Sequence, residues 1–108
     1  MSVVVVFTSR RTVEHDDEYH EMAARMEELV ALQPGFQRVM SVRDPISRRG
    51  ITVAYFEDDA AVLAWKAHPE HAQAQRRGIA AFYDDYEVTV ADVRRQYGRR
   101  GHDEHPAA

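Results

Sequence analysis

The chain has 108 residues, a formal net charge of -4 and no cysteine. This length supports one domain with a single core. The absence of cysteine excludes disulfide bonds and thiolate metal sites, and the net negative charge disfavours nucleic acid or an anionic membrane as a partner. The apolar run Val3–Phe7 is too short for a membrane span or a signal sequence. We therefore expect a cytoplasmic protein with no nucleic-acid partner and no membrane partner.

The first half of the chain predicts a strand, a helix and a second strand. Ser2–Arg10 is rich in valine, whose branched side chain favours a pleated sheet, and it is apolar at both parities. Thr12 is expected to cap the following helix, which carries an apolar stripe at steps of three and four residues. The turn Gln33–Gly35 ends this helix because its proline disfavours a helical conformation in the residue before it. Phe36–Arg43 predicts the second strand.

The second half predicts a strand, two short helices and a fourth strand. Ile51–Phe56 follows strand two after a short connection, which is typical of a β-hairpin. Asp58 or Asp59 can cap the next helix, and Pro69 interrupts that helix and suits the first turn of another. Tyr86–Tyr97 predicts the last strand. The paired arginines along the chain are interpreted as solvated ends of strands.

The order β-α-β-β-α-β is that of a ferredoxin-like α+β fold, with an antiparallel sheet and helices on one face. Strands one and three are apolar at both parities, but the helices cover only one face of the sheet. A second copy is predicted to cover the other face, which gives a homodimer through the sheet. Residues 1–98 are expected to form this domain, and the polar tail 99–108 is expected to be disordered.

Five sequence motifs resemble those of one known family. They are QPGF before strand two, ITVAYF in strand three, and then AW, HPEH and FYDDY. Together they are similar to the antibiotic-biosynthesis monooxygenase (ABM) domain family, from about Val3 to Tyr97. The resemblance implies a dimeric α+β barrel with a pocket in each subunit between the sheet and the helices. It also implies a choice of chemistries, since some members oxidise electron-rich polycyclic phenols with O2 and no cofactor, and others bind and degrade heme.

The positions at which this chain departs from the family bear on its chemistry. Cofactor-free members commonly have an asparagine about one helical turn before the tryptophan, near Ala61 here, and the heme-degrading branch has an asparagine in strand one. This chain contains no asparagine. Trp65 matches the family's tryptophan, whereas His71 follows it by six residues, closer than in the heme branch. Heme degradation is therefore disfavoured.

The expected function is that of a cofactor-independent monooxygenase acting on a quinol or a phenolic polycycle. Ground-state O2 reacts slowly with closed-shell molecules, so the substrate must ionise and the protein must hold the anion. A histidine titrates near neutral pH and suits the role of base. The candidate catalytic residues are His71, Trp65 and His68, and the candidate substrate-binding residues are Tyr55, Arg76, Phe82 and Tyr83.

Other interpretations of the same residues stay open. Trp65 can serve as a wall of the core or pocket, His71 as a helix cap or surface residue, and His68 as the residue that shapes the turn before Pro69. His68, Glu70 and His71 offer three metal ligands within four residues, but the proline separates the histidines, and we expect no metal and no cofactor. The alternatives to a monooxygenase are a dimer that binds a small aromatic ligand without turnover and, less favoured, a heme-binding protein.

Overall fold

The computed structural model of the chain describes residues 2–100 and 103–104. It has the predicted ferredoxin-like α+β fold, built on an antiparallel sheet of four strands. The elements in chain order are β1 (Val3–Arg11), α1 (Asp16–Val30), β2 (Phe36–Arg43), β3 (Arg49–Phe56), α2 (Asp59–Ala67), α3 (Pro69–Arg77), a π-helical turn (Gly78–Phe82), β4 (Tyr83–Asp92), β5 (Arg99–Arg100) and β6 (Asp103–Glu104).

The valine-rich strand β1 lies inside the sheet, whose strand order is β2-β3-β1-β4. Val3 pairs with Phe56 of β3 on one side and with Asp92 of β4 on the other, and the register continues along both neighbours. Branched side chains favour such a central, pleated position. Strands β2 and β3 form the predicted hairpin.

The hydrophobic core lies between the helices and the sheet face that carries the odd-numbered residues of β1. Val3 is 3% exposed and Phe56 is 1% exposed on that face, where they are register partners. The core comprises Val3, Val30, Phe56, Ala61 and Val62, with Val5, Phe36, Val39, Ala54 and Trp65 packed around it. Trp65 thus anchors α2 at the end of the sheet where β1 begins.

The opposite face of the sheet carries the even-numbered residues of β1 and is more open to solvent. On this face Met40 is 68% exposed and Val42 is 62% exposed. Tyr55 lies here as well, paired with Val4, and the guanidinium carbon of Arg38 lies 4.1 Å from the centre of its ring. The prediction that β1 and β3 are apolar on both faces is confirmed.

The fourth strand begins and ends earlier than the sequence predicted: β4 spans Tyr83–Asp92, whereas the prediction was Tyr86–Tyr97. Among the described residues β4 pairs with β1 alone, and β1 starts at Val3, opposite Asp92. The next amide, of Val93, still donates to the Ser2 carbonyl at 2.8 Å, and after it β4 has no partner strand among the described residues. At its start, the pairing extends back to Tyr83 through a register irregularity at the end of β1.

The start of α1 also differs from the prediction, since Thr12 does not cap it. His15 precedes the helix in the left-handed region, at φ 62° and ψ 33°, and gives it no side-chain cap. Thr12 instead donates its hydroxyl to the carbonyl oxygen of Ala81, which ties this loop to the π-helical turn. Helix α2 has the predicted cap, since the Asp58 carboxylate accepts a hydrogen bond of 2.8 Å from the amide of Ala61.

The predicted disordered tail, 99–108, lies largely outside the described residues. Within it, the backbones of β5 and β6 pair as two short antiparallel strands. In the part of the chain that the structure describes, no helix is long and apolar enough to cross a membrane.

Candidate active site

The junction between α2 and α3 brings the three candidate catalytic side chains together. Helix α2 ends at Ala67 because the next residue, His68, has an extended ψ of 128° and is followed by Pro69. Pro69 then occupies the first turn of α3, where the missing amide proton leaves no helical hydrogen bond unmade. The chain turns at this point, so Trp65 near the end of α2 meets His71 near the start of α3.

Trp65 and His71 form a stacked pair. Their ring centres are 4.2 Å apart, their planes are inclined by 10°, and Nδ1 of His71 lies 2.9 Å from the carbonyl oxygen of Trp65. A carbonyl oxygen can only accept a hydrogen bond, so Nδ1 of the neutral ring carries the proton and Nε2 carries the lone pair. Burial lowers the pKa of His71, an effect that the Trp65 carbonyl opposes and the neighbouring His68 reinforces. His71 is therefore neutral at pH 7 and has a basic nitrogen available.

His68 has the structural role that the sequence left open. Its Nδ1 accepts a hydrogen bond of 3.2 Å from the amide of Glu70, so the imidazole caps the start of α3. Its ring centre lies 5.6 Å from that of Trp65. The carboxylate of Glu70 binds the guanidinium of Arg25 on α1 through hydrogen bonds of 3.0 and 3.1 Å, and this contact lowers the pKa of Glu70. The pair fixes the first turn of α3 against α1.

Arg76 lies apart from these rings, in an open groove between α1 and α3. The groove has a volume of about 340 Å³ and is lined by Glu18, Met22, Gln73, Arg76, Arg77 and Ala80. Hydrogen bonds of 2.5 and 2.7 Å join Arg77 to Glu18 and hold the two helices together here. Arg76 can meet a ligand in this groove, but the groove is not lined by Trp65 or His71.

Phe82 and Tyr83 lie at the far end of the sheet from Trp65. Phe82 is 2% exposed and is therefore part of the packed interior. Tyr83 packs edge-on against Phe7, with ring centres 5.1 Å apart. Strand β1, which separates the two ends, has nine residues and so spans roughly 26 Å at the rise of a strand. A small aromatic ligand cannot touch Trp65 and Phe82 at the same time.

This far end contains a buried arginine, so the interpretation of the arginine pairs as solvated strand ends is wrong for Arg11, which is 3% exposed. Its guanidinium donates to the Phe82 carbonyl at 2.8 Å and to the Asp16 carboxylate at 2.7 Å, and it lies 4.1 Å from the ring centre of Tyr19. Burial lowers the pKa of Arg11, and the negative charge of Asp16 opposes that shift. The signal that could have found this residue is the alternation along β1, which puts Arg11 on the same face as Val3.

A second arginine and two phenols complete this group. Arg43 donates to the hydroxyl of Ser9 at 2.8 Å. Burial and the neighbouring Tyr19 raise the pKa of Tyr83, so its phenol stays protonated. We call this group the arginine–tyrosine cluster; its members are Arg11, Tyr19, Arg43 and Tyr83.

A row of apolar side chains on β4 lies on the helix-covered face of the sheet, but the helices leave it exposed to solvent. Tyr86, Val88 and Val90 alternate along β4 on the face that carries Phe7, and they are 46%, 52% and 49% exposed. The sequence did not show that the helices would leave this row open. A flat apolar ligand can lie on it. Tyr55, on the opposite face, cannot reach this side.

The fold is that of a ferredoxin-like α+β protein, and two imidazole nitrogens beside its single tryptophan have no hydrogen-bond partner among the described residues. Residues 2–77 match the family described as Antibiotic biosynthesis monooxygenase. The chain belongs to this family.

Three relatives show how far the likeness extends. The uncharacterized protein YqjZ of Bacillus subtilis (strain 168) is 45% identical over 92 residues, covering 85% of this chain and 79% of that protein. SnoaB, described as a cofactor-independent oxygenase from Streptomyces nogalater, has a TM-score of 0.73 and 21% identity, covering 88% of this chain and 95% of its own. Rv0793 from Mycobacterium tuberculosis has a TM-score of 0.78 and 9% identity, covering 89% and 98%. At these identities the two structures show a shared fold.

Proposed function

We propose that the protein is a cofactor-independent monooxygenase that oxidises an electron-rich aromatic, a quinol or a phenolic polycycle, with O2. The observation that carries the proposal is the state of His71. Its Nδ1 is bonded to the Trp65 carbonyl, its ring is stacked on the indole, and its pKa is lowered by burial. A neutral imidazole with a free Nε2, held against an aromatic wall, is suited to take a proton from a bound phenol.

The chemistry needs a base rather than a redox group, because the substrate can supply every electron. Ionisation of the substrate gives a delocalised anion that can pass an electron to triplet O2. For a methylene between two aromatic rings, CH2 + O2 gives C=O + H2O: the substrate supplies the four electrons that reduce both atoms of O2, one of which becomes the carbonyl oxygen, and the two protons of the water formed from the other. The protein must remove the first proton, hold the anion and exclude water.

Trp65 and β4 supply the other parts of the proposed site. The indole Nε1 of Trp65 makes no hydrogen bond within residues 2–98, and since no buried side-chain nitrogen of the described residues lacks a partner, it is accessible and can donate to a developing oxyanion. The open row on β4 offers an apolar surface for a polycycle, and its member nearest to Trp65 is Val90, which pairs with Val5 beside the core that Trp65 packs against. Among the other candidates, Tyr55 and Phe82 are left out of the proposed site, Tyr55 because of its face and Phe82 because of its burial.

The proposal includes a homodimer through the uncovered sheet face. Met40, Val42, Ile51 and Tyr55 lie on that face together with Val4, and an exposed apolar surface of this kind is typical of an interface. A second copy packed sheet on sheet would cover it. Light scattering at micromolar concentration tests the dimer, and the mass of a single chain would contradict it.

One observation favours binding without turnover as the second candidate. Ala61, near the position where cofactor-free relatives commonly have asparagine, is 9% exposed and belongs to the hydrophobic core. It presents no polar group to a ligand. A dimer that binds a small aromatic molecule without oxidising it would need only the indole and the apolar row.

Trp65 is the sole tryptophan, so its fluorescence reports ligand binding while an oxygen electrode reports turnover. Anthrone, a naphthoquinol and hemin are titrated into wild type and into His71→Asn, which retains an amide able to donate to the Trp65 carbonyl. We expect quenching by anthrone or quinol in both proteins, and oxygen uptake that falls on the order of a hundredfold or more in the variant.

The control is His20→Asn, which removes an exposed histidine of α1 and should leave uptake unchanged. Quenching without oxygen uptake in wild type would contradict the monooxygenase and support the binding dimer. A Soret band with hemin that shifts in His71→Asn would support heme binding instead.

A further inference from the structure

The two imidazoles beside Trp65 are held by the main chain in opposite tautomers. Nδ1 of His68 lies 3.2 Å from the amide nitrogen of Glu70, which can only donate. Nδ1 must therefore carry the lone pair, and the proton of the neutral ring lies on Nε2. Nδ1 of His71 faces the carbonyl oxygen of Trp65, which can only accept. Here the proton lies on Nδ1 and the lone pair on Nε2.

Both Nε2 atoms are available to a ligand. Within residues 2–98 neither atom has a hydrogen-bond partner, since the contacts of His68 and His71 use Nδ1. Both residues are partly buried, yet no buried side-chain nitrogen or oxygen of the described residues lacks a partner. The two Nε2 atoms must therefore reach solvent. One is a donor, the other is an acceptor, and both rings lie against the same indole.

We infer that this donor–acceptor pair selects an aromatic ligand that carries both a hydroxyl and a carbonyl group. The hydroxyl donates to Nε2 of His71, and the carbonyl oxygen accepts from Nε2–H of His68. The inference rests on the proposed function and names the substrate class of the same site. It also changes the role of His68 from a second base to a hydrogen-bond donor that orients the substrate.

The same two hydrogen bonds explain how the substrate loses its proton as well as how it binds. The substrate hydroxyl gives its proton to Nε2 of His71, so the O–H bond breaks and an N–H bond forms. The negative charge left on the substrate spreads through the ring to the carbonyl oxygen, where the N–H of His68 stabilises it. One proton moves and no electron does, and the anion is then ready for O2.

Ligands that lack one of the two groups should bind less well. A ketone without a hydroxyl brings a carbonyl oxygen towards the lone pair of His71, and a phenol without a carbonyl leaves the N–H of His68 without an acceptor. An unmade hydrogen bond of this kind costs about a factor of ten in affinity. The site therefore discriminates by leaving its own polar atoms unpaired with the wrong ligand.

Fluorescence titration under nitrogen tests this selection without any turnover. The probes are 2-hydroxyanthraquinone, which has both groups, anthraquinone, which has carbonyls alone, and 2-hydroxyanthracene, which has a hydroxyl alone. We expect wild type to bind the first about tenfold more tightly than either of the others. Equal affinity for all three would overturn the inference.

Two variants separate the donor role of His68 from its capping role. His68→Asn keeps a side-chain oxygen that can cap α3 but lacks the distal N–H. His68→Gln can place an amide N–H near the lost Nε2 but caps poorly. We expect the Asn variant to lose the preference for 2-hydroxyanthraquinone over 2-hydroxyanthracene, and the Gln variant to retain part of it. A stronger preference for 2-hydroxyanthraquinone in the Asn variant than in the Gln variant would show that His68 acts through the cap alone, and it would overturn the role of His68 as donor.

The tautomers can be measured directly in the ligand-free protein. Long-range 15N–1H correlation spectra of 15N-histidine-labelled protein at pH 8 distinguish a protonated ring nitrogen from an unprotonated one, and His68→Asn and His71→Asn assign the signals. We expect Nε2–H in His68 and Nδ1–H in His71, and the same tautomer in both would overturn the inference. Since these readouts need no oxygen, a protein with the expected tautomers and ligand preference but no oxygen uptake would contradict the proposed function alone.

Discussion

The two ends of the helix-covered sheet face differ in how their polar side chains are used. In the arginine–tyrosine cluster, the guanidinium groups donate to main-chain carbonyls, a hydroxyl and a carboxylate. At the α2–α3 junction, each imidazole has one nitrogen bonded to the main chain, and the other has no partner within residues 2–98. Both ends contain aromatic rings and titratable groups, so composition alone does not tell them apart. The polar atoms that remain available distinguish the proposed site from a cluster that holds the fold.

Among the variants that test this difference between the two ends, we expect Arg11→Met to change the free energy of unfolding most. The substitution keeps the apolar stem but removes one of two donors from the Phe82 carbonyl, which keeps the Thr12 amide, and one of two from the Asp16 carboxylate, which keeps Arg48. The two lost hydrogen bonds to the charged guanidinium together contribute about 3 kcal/mol. We expect the free energy of unfolding, measured by urea denaturation at pH 7.5, to fall by about that amount.

Arg10→Met is the matched control, because it changes the neighbouring residue of the same arginine pair. The guanidinium of Arg10 is on the outside, paired with Asp84, and its side chain is 44% exposed. Exposed ion pairs contribute little to stability, so this variant should unfold close to wild type. Equal losses in the two variants would show that the burial of Arg11 does not stabilise the fold, and the contrast between the two ends would fail.

We expect a smaller effect on the free energy of unfolding when His71 is titrated with acid. Burial lowers its pKa in the folded protein below the ordinary value near 6.5. The unfolded chain therefore binds a proton at higher pH than the folded one, and the stability that the neutral ring contributes is present above pH 6.5 and lost as the pH falls below it. Wild type should lose stability from pH 7.5 to pH 5.5 more steeply than His71→Asn does, as measured by urea denaturation at each pH.

The difference between wild type and His71→Asn isolates the contribution of His71, because the carboxylates that titrate at lower pH are common to both proteins. Parallel stability profiles in wild type and His71→Asn would mean that His71 is protonated as easily as a free histidine. The base that the proposed function requires would then be absent at mildly acidic pH. By contrast, Arg11 stays charged throughout this range, so the arginine–tyrosine cluster contributes no such slope.

The sequence predicted the fold well because valine content, Pro69 and the Asp58 cap act locally. It placed Trp65 and His71 together for the same reason, since a proline-bounded turn brings neighbouring residues into contact. It failed where long-range pairing decides the outcome. The end of β4 is set by where β1 begins, and the burial of Arg11 is set by the packing of α1 and the π-helical turn across its side chain. The tautomers of the histidines depend on single main-chain contacts that no sequence pattern specifies.

The smallest predicted effects concern two residues at the arginine–tyrosine end that have a positive φ, His15 at 62° and Arg48 at 65°. A left-handed conformation costs a residue with a Cβ about 1 kcal/mol, and glycine avoids that cost, partly offset by its greater freedom in the unfolded chain. His15 gives α1 no side-chain cap, so His15→Gly should raise the free energy of unfolding by about 0.5 kcal/mol. Arg48 donates to the Thr12 carbonyl and to Asp16. Arg48→Gly should therefore lower the free energy of unfolding, although glycine removes the cost of the positive φ here as well. Urea denaturation of both variants decides the point, since a stabilising Arg48→Gly would show that these contacts are not needed to hold that end of the molecule together.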